Sequence, residues 1–165
     1  MKLSQGVEWA LHCALALVNA EAGAPASRRT LAGFYDLPEA YLAKHLKSLV
    51  QAGVLIATSG PRGGFRLARR PEQITVLDVV EAIEGATPSF VCTEIRQRGA
   101  CAIPAERCTG PCTVAQVMYD ADRAWRSSLG SVTLADLAGR LPAWSHARTK
   151  AYLADPATPL PPPPL

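Results

Sequence analysis

Four of the five cysteines, Cys92, Cys101, Cys108 and Cys112, fall within 21 positions of one another, separated by eight, six and three residues in the stretch FVCTEIRQRGACAIPAERCTGPC. Thiolates gathered in this way suit soft metal ions, iron–sulfur clusters or thiol redox chemistry. The spacing matches neither the C-x-x-C pairs of structural zinc sites nor that of ferredoxins, so it points to metal or redox chemistry without naming the centre. Four unrelated cysteines is the weaker reading, because only Cys13 lies elsewhere, on an apolar stretch where it suits a core position. A second pair stands near the N-terminus. In GVEWALHC, Glu8 and His12 are placed at i and i+4 among apolar residues. On a helix they share one face, about 6 Å apart, and taken alone they read as an ordinary polar pair facing solvent. No nucleophile–base pair and no nucleotide loop is visible, so an enzyme is not expected.

Such sites need a scaffold, and the composition bounds it. The chain has 165 residues, 48% of them apolar, enough for one domain with an attached tail. No apolar run approaches the ~18 residues of a membrane span. MKLSQGVEW has neither the short apolar core nor the cleavage site of a signal peptide. A cytoplasmic protein with no membrane partner is expected, and there the thiols stay reduced. The net charge of +3 is unevenly spread: residues 27–70 hold eight Lys/Arg against Asp36 and Glu39, which is +6, and leaves −3 for the rest. One basic segment on a mildly acidic chain suits a polyanion, although a solvated basic face would look the same.

Periodicity supplies the elements. Residues 4–19 read as a helix capped by Ser4, with Val7, Leu11, Ala14, Leu15 and Val18 at helical spacing. Ser27 can cap a short helix, RRTLAGFY; DLP is a turn; Pro38 opens a third helix, PEAYLAKHLKSLVQAG, with Leu42, Leu46 and Val50 inward and Gly53 at its end. Val54–Ala57 reads as a strand, SGPRGG as a turn, and FRLAR as a return strand with Phe65 and Leu67 inward and Arg66 outward. This order is a winged helix-turn-helix, expected over residues 1–85, in which the helix after the turn enters the DNA major groove. Glu39, Tyr41, Lys44 and Lys47 from that helix and Arg62 from the wing are the candidate DNA-binding residues. Lysines hold phosphate, Glu39 can accept from a cytosine amino group, and His45 would meet phosphate or solvent.

TVLDVVEAIEG (75–85) is a further amphipathic helix. Periodicity then lapses over 86–111, a loop long enough to be functional. A long helix runs from Cys112 to about Leu129, with Val114, Met118, Ala121 and Trp125 on one stripe. A domain this small leaves little core to cover it, so the stripe reads as a dimer interface. TLADLAGR adds a short last helix, closing a third segment, 112–141. Residues 142–165, which include His146 and end PATPLPPPPL, are expected to be a disordered tail. The fold class is mainly α.

This layout resembles the Rrf2 family of winged helix-turn-helix iron–sulfur transcription regulators over residues 1 to about 140. YLAKHLKSL, SGPRGGFRLAR and ITVLDVVEAIEG carry the resemblance. FVCTEIRQRG and GVEWALHC are similar to the RsrR-type redox regulators, whereas IscR- and NsrR-like members have three cysteines at close, even spacing. The resemblance implies a homodimeric repressor whose DNA affinity follows a [2Fe–2S] cluster. Cys92 and Cys112 of one subunit would hold that cluster with Glu8 and His12 of the partner subunit. Cys108 rivals Cys112, and Cys101 has no counterpart in the RsrR-type loop. Trp9, beside Glu8, would relay the signal, unless it merely fills the dimer seam. A two-fold dimer would bind a pseudo-palindromic operator in double-stranded DNA, with half-sites about one turn apart. Pro38, Ala40 and Ala43 stand where IscR-like readers have other side chains, so no operator sequence transfers. Three alternatives stay open. One is a nitric-oxide sensor with a [4Fe–4S] cluster on Cys92, Cys101, Cys108 and Glu8. Another is a cluster-free regulator working by thiol oxidation. The third, an electron-transfer protein docking an acidic partner, is disfavoured by the wing and the recognition helix.

Overall fold

Caps and glycines decide where the elements begin and end. The computed structural model describes residues 2–160 and 162. Helix α1 spans Gln5–Val18, α2 Arg28–Tyr35 and α3 Glu39–Gln51; strands β1 (Leu55–Thr58) and β2 (Gly64–Leu67) follow, then α4 (Val76–Glu84), α5 (Thr113–Gly130), α6 (Leu134–Gly139) and α7 (Ala143–Ala154). Ser27 caps α2 by accepting from the Thr30 amide. Thr75 with Asp78, and Thr133 with Asp136, form reciprocal capping boxes on α4 and α6. Ser4 stands at the start of α1 but caps nothing with its side chain; its amide instead donates to Glu84 at 2.8 Å and ties α1 to α4.

The core lies where α1, α3 and α4 converge. Ala10, Cys13, Ala14 and Leu17 of α1 pack with Leu31 of α2, Leu42, Leu46 and Leu49 of α3, and Ile74, Val79 and Leu134. Leu49, rather than Val50, is the third fully buried residue of α3. A smaller cluster of Val7, Val76 and Val80 takes Trp125 and Leu129 of α5 against it. The hairpin pairs Leu55 with Leu67 and Thr58 with Gly64. Ala26 adds a bridge on the far edge of β2, exchanging both backbone bonds with Phe65 (2.9 and 2.8 Å). A Cβ on Gly64 would run into the Ala26 carbonyl, so glycine is needed there.

One expectation needs correction. The stretch after residue 142 is not disordered throughout: 143–154 form α7, which packs on α1 and α2. Its anchors are specific. Thr149 is buried, Tyr152 stacks at a tilt on Phe34 (5.0 Å), His146 Nδ1 meets Asn19 Oδ1, and Lys150 pairs with Glu21 at 2.9 Å. The sequence hides this helix because it meets its neighbours through aromatic and polar contacts, not an aliphatic stripe. On α1, the apolar surroundings do not bury Glu8 or His12. Both are exposed, and the buried face is the opposite one. Among the described residues no helix is long and apolar enough to cross a membrane.

Helix α1 comes close to α3 because residue 6 is glycine: a Cβ there would occupy the space of the His45 ring. Gly6→Ala should therefore lower unfolding free energy by about 1–3 kcal/mol, as overpacking does. The double variant Gly6→Ala/His45→Ala should lose markedly less than the sum of its single variants in urea titrations. Full additivity would show that the ring and residue 6 do not share that space.

Candidate metal centre and nucleic-acid interface

The cysteine loop is folded around one carboxylate. Glu94 is in the left-handed backbone region (φ 49, ψ 49), one of two non-glycine residues with positive φ among those described. Arg96 holds it with Nε at 3.2 Å and Nη2 at 2.8 Å on Oε2, and also donates to the Gly110 carbonyl at 3.0 Å. The Cys92 thiol lies 3.3 Å from the other oxygen, Oε1. Cys112 arrives from the far end of the loop as the N-cap of α5, its sulfur accepting from the Ala115 amide at 3.3 Å. Donor atoms of Cys92, Glu94 and Cys112 thus lie within 4.8 Å of one another, each residue half-buried. The start of the loop is fastened separately: the Ser89 amide donates to Asp122 at 3.3 Å, and Phe90 meets Tyr119 edge to face.

The electrostatics follow from these contacts. Arg96, then the Cys92 thiol, hold the Glu94 carboxyl below its usual range. At Cys92 the Glu94 amide pulls the thiol down, but the carboxylate, desolvation and Cys112 together push it up further. The Arg96 guanidinium is pushed up by Glu94 first and by Cys108 and Cys112 as well, so Cys108 also lies within its field. Burial pushes Cys13 up to about 12, the mark of an inert core thiol.

Of the four ligands implied by the resemblance, one subunit brings together Cys92 and Cys112 and leaves Glu8 and His12 apart from them. Cys101 is exposed and outside the converging group, as is the half-buried Cys108. Glu94 was missed. Its signal was its position in CTEIR, two residues from each of Cys92 and Arg96. On α1, His12 contacts the Tyr35 ring at 5.3 Å, and Tyr35 donates to the His12 carbonyl at 3.0 Å. Trp9 is half-buried and meets the His45 ring of α3 edge to face at 5.9 Å. His45 therefore turns inward, against the expectation that it faces phosphate or solvent.

On the opposite side of α3, Tyr41 is 70% exposed, and Lys44 and Lys47 are exposed; Arg62 is exposed at the wing tip. Glu39 is not free. Arg28 holds it at 2.8 Å, with Arg29 at 4.0 Å from its second oxygen, so two arginines of α2 join the basic surface. These arginines had counted only towards net charge.

An α3 backed by a helical core and flanked by a basic wing defines a winged helix-turn-helix transcriptional regulator. The profile of the Rrf2 family, described as iron-dependent transcriptional regulators, matches residues 3–140, and the chain belongs to that family. YffB of Lactococcus lactis, described as an HTH-type transcriptional regulator, is 31% identical over 140 residues, covering 84% of this chain and 87% of YffB. In fold, the chain is similar to CymR (YrzC), the global cysteine regulator of B. subtilis, with a TM-score of 0.66 at 23% identity over 86% of this chain and 99% of CymR. It is similar also to T. potens IscR, with a TM-score of 0.61 at 24% identity over 83% of this chain and 85% of that one. The family description and that of YffB both name transcriptional regulators.

Desolvation, then the neighbouring Lys44, lower the pKa of His45 below its usual value. The folded state thus favours the neutral ring. The contribution to stability is complete above about pH 6.5, the unfolded value, and is lost as pH falls through the folded value. Urea midpoints of the cluster-free protein from pH 8 to 5 should fall more steeply for the wild type than for His45→Gln. Parallel curves would remove His45 from the pH dependence.

Proposed function

We propose that this protein is a homodimeric, cytoplasmic repressor whose affinity for its operator is set by the redox state of a [2Fe–2S] cluster. The observation that carries the proposal is the meeting of Cys92 and Cys112, 20 positions apart in sequence, at half-buried sites beside a guanidinium. Soft sulfur donors of this kind fit iron. Glu8 and His12 fit the remaining positions. They occupy one exposed face of α1, and among the described residues the Glu8 carboxylate has no ion pair. Cys92 and Cys112 would hold the cluster from one side, and Glu8 and His12 of the partner subunit from the other. The [4Fe–4S] alternative calls on Cys101, which stands outside the converging donors, and is less well supported. A bound cluster supplies a one-unit change of charge on one-electron reduction.

The dimer is supported by surface that one subunit leaves bare. Val114, Val117 and Met118 of α5 and Val91 and Ile95 of the loop are exposed. Trp125, the last member of the expected stripe, packs partly inward instead. The relay is supported by contact: Trp9 follows Glu8, and its ring touches His45, which lies between Lys44 and Lys47 on α3. A displaced Glu8 would move Trp9 against the reading helix. On the DNA side, Tyr41, Lys44, Lys47 and Arg62 face outward. Glu39, held by Arg28 and Arg29, would orient those arginines towards phosphate more readily than accept from a base.

Lys44→Ala or Lys47→Ala should weaken binding to all sequences and flatten the dependence of log K on log salt by roughly one unit per lost phosphate contact. Anaerobic reconstitution should fail in Cys92→Ala and Cys112→Ala and succeed in Cys101→Ala, read by iron and sulfide counts. Operator affinity, measured by anisotropy on oxidised and reduced protein, should differ between the two states. Equal affinities would remove redox control and leave cluster loss or nitrosylation as the signal.

A further inference from the structure

The cluster proposed above needs two subunits, yet three donors already converge within one. We infer that Cys92, Glu94 and Cys112 form a mononuclear divalent-metal site, complete within a single subunit, which the cluster-free protein fills with a borderline-soft cation such as Fe(II) or Zn(II). The inference goes beyond the cluster reading and does not depend on it.

The geometry is close to what such an ion requires. Two sulfurs at ~2.3 Å and an oxygen at ~2.0 Å from a tetrahedral centre stand ~3.5–3.8 Å from one another. Cys92 Sγ and Glu94 Oε1 are already 3.3 Å apart, and all three donors lie within 4.8 Å. Adjustments of about 1 Å or less in these half-buried side chains close the set, with water in the fourth position. The carboxylate is divided between two tasks. Arg96 occupies Oε2 with two nitrogens, leaving Oε1 aimed at the sulfurs as a single-oxygen ligand. This is the outer-shell arrangement that orients carboxylate ligands at metal centres. Charge closes as well: two thiolates and one carboxylate carry three negative charges, which a divalent ion and the Arg96 guanidinium balance. The left-handed backbone at Glu94 is an unfavourable conformation for a side-chain-bearing residue, and here it delivers the carboxylate to the sulfurs. Metal uptake would release the thiol protons and form two metal–sulfur bonds without any change of oxidation state.

In this scheme Glu94 and the partner's Glu8 are rival carboxylates for the same pair of cysteines. A subunit without its cluster keeps the thiolates coordinated instead of free to oxidise.

Anaerobic, cluster-free, full-length protein titrated with Co(II) alone tests this. One Co(II) per subunit should bind, with a near-ultraviolet sulfur-to-cobalt band of two-thiolate intensity and visible bands of tetrahedral character. Cys92→Ser and Cys112→Ser should each abolish tight binding, and Glu94→Gln should weaken it at least tenfold. Glu8→Gln, His12→Ala, Cys101→Ala and Cys108→Ala should leave it unchanged. X-ray absorption on the wild type, which needs no variant to fold, should give two sulfurs and two light atoms around cobalt without imidazole scattering. Binding that survives Glu94→Gln unweakened, that depends on Glu8 or His12, or that shows imidazole scattering overturns the inference. The cluster reading is judged separately by reconstitution: Glu94→Gln should still assemble a cluster, whereas His12→Ala should not. A cobalt result with no cluster, or a cluster with no cobalt site, therefore separates the two.

Discussion

The close approach of α1 to α3 at Gly6 is the constraint on which the remaining organisation rests. With no side chain at residue 6, the His45 ring lies directly on the α1 backbone and Trp9 closes over its edge. One helix therefore has three surfaces with separate duties. Ala10, Cys13, Ala14 and Leu17 bind it into the core, Trp9 touches His45 of α3, and Glu8 and His12 remain outside. A larger residue at position 6 would separate the two helices and break the contact between the Trp9 surface of α1 and α3. Energetically this is ordinary packing, in which small volume changes are felt because interiors are close to crystal density.

The cysteine loop solves a different problem. Unlike α1 it has almost no aliphatic core, and among the described residues its two 3-10 turns contain no buried side chain. Order comes instead from charge. Arg96 ties Glu94 and the Gly110 carbonyl together, and so joins the Cys92 end of the loop to the approach of Cys112. Exposed ion pairs contribute little by themselves. This one is bidentate, shares its cation with a carbonyl and is only partly exposed, so its main effect is on geometry. The cost of the left-handed turn at Glu94 is met locally, and the two sulfurs are held near each other by the protein alone.

Much of the fold was legible because it is written in caps and periodicity. Ser27, Thr75 and Thr133 mark helix starts through hydroxyls that accept from the chain, and Gly53 closes α3 with a positive φ. Helix α7 was not legible: His146, Lys150 and Tyr152 hold it through single contacts to Asn19, Glu21 and Phe34, which leave no periodic trace. The site divides in the same way. Clustering pointed to all four loop cysteines, and only the resemblance singled out Cys92 and Cys112, the two that converge; Glu8 and His12 lie apart from them within one subunit. Neither signal could show that Glu94 turns back onto Cys92, because that depends on one backbone dihedral and on Arg96. The inward turn of His45 was hidden too, since only the packing of α1 reveals which face of α3 it occupies.

The bridge between Ala26 and Phe65 has a consequence for how DNA would be met. It fastens β2, through one residue, to the segment that leads straight into the Ser27 cap of α2. Two backbone hydrogen bonds thus tie the wing to the helix pair, so the hairpin has less conformational freedom to lose when a duplex arrives. A pre-shaped reader of this kind adapts poorly. A mismatch in groove width has to be absorbed by bending the DNA, so stiff and flexible sequences of equal chemical complementarity would be told apart by their deformability.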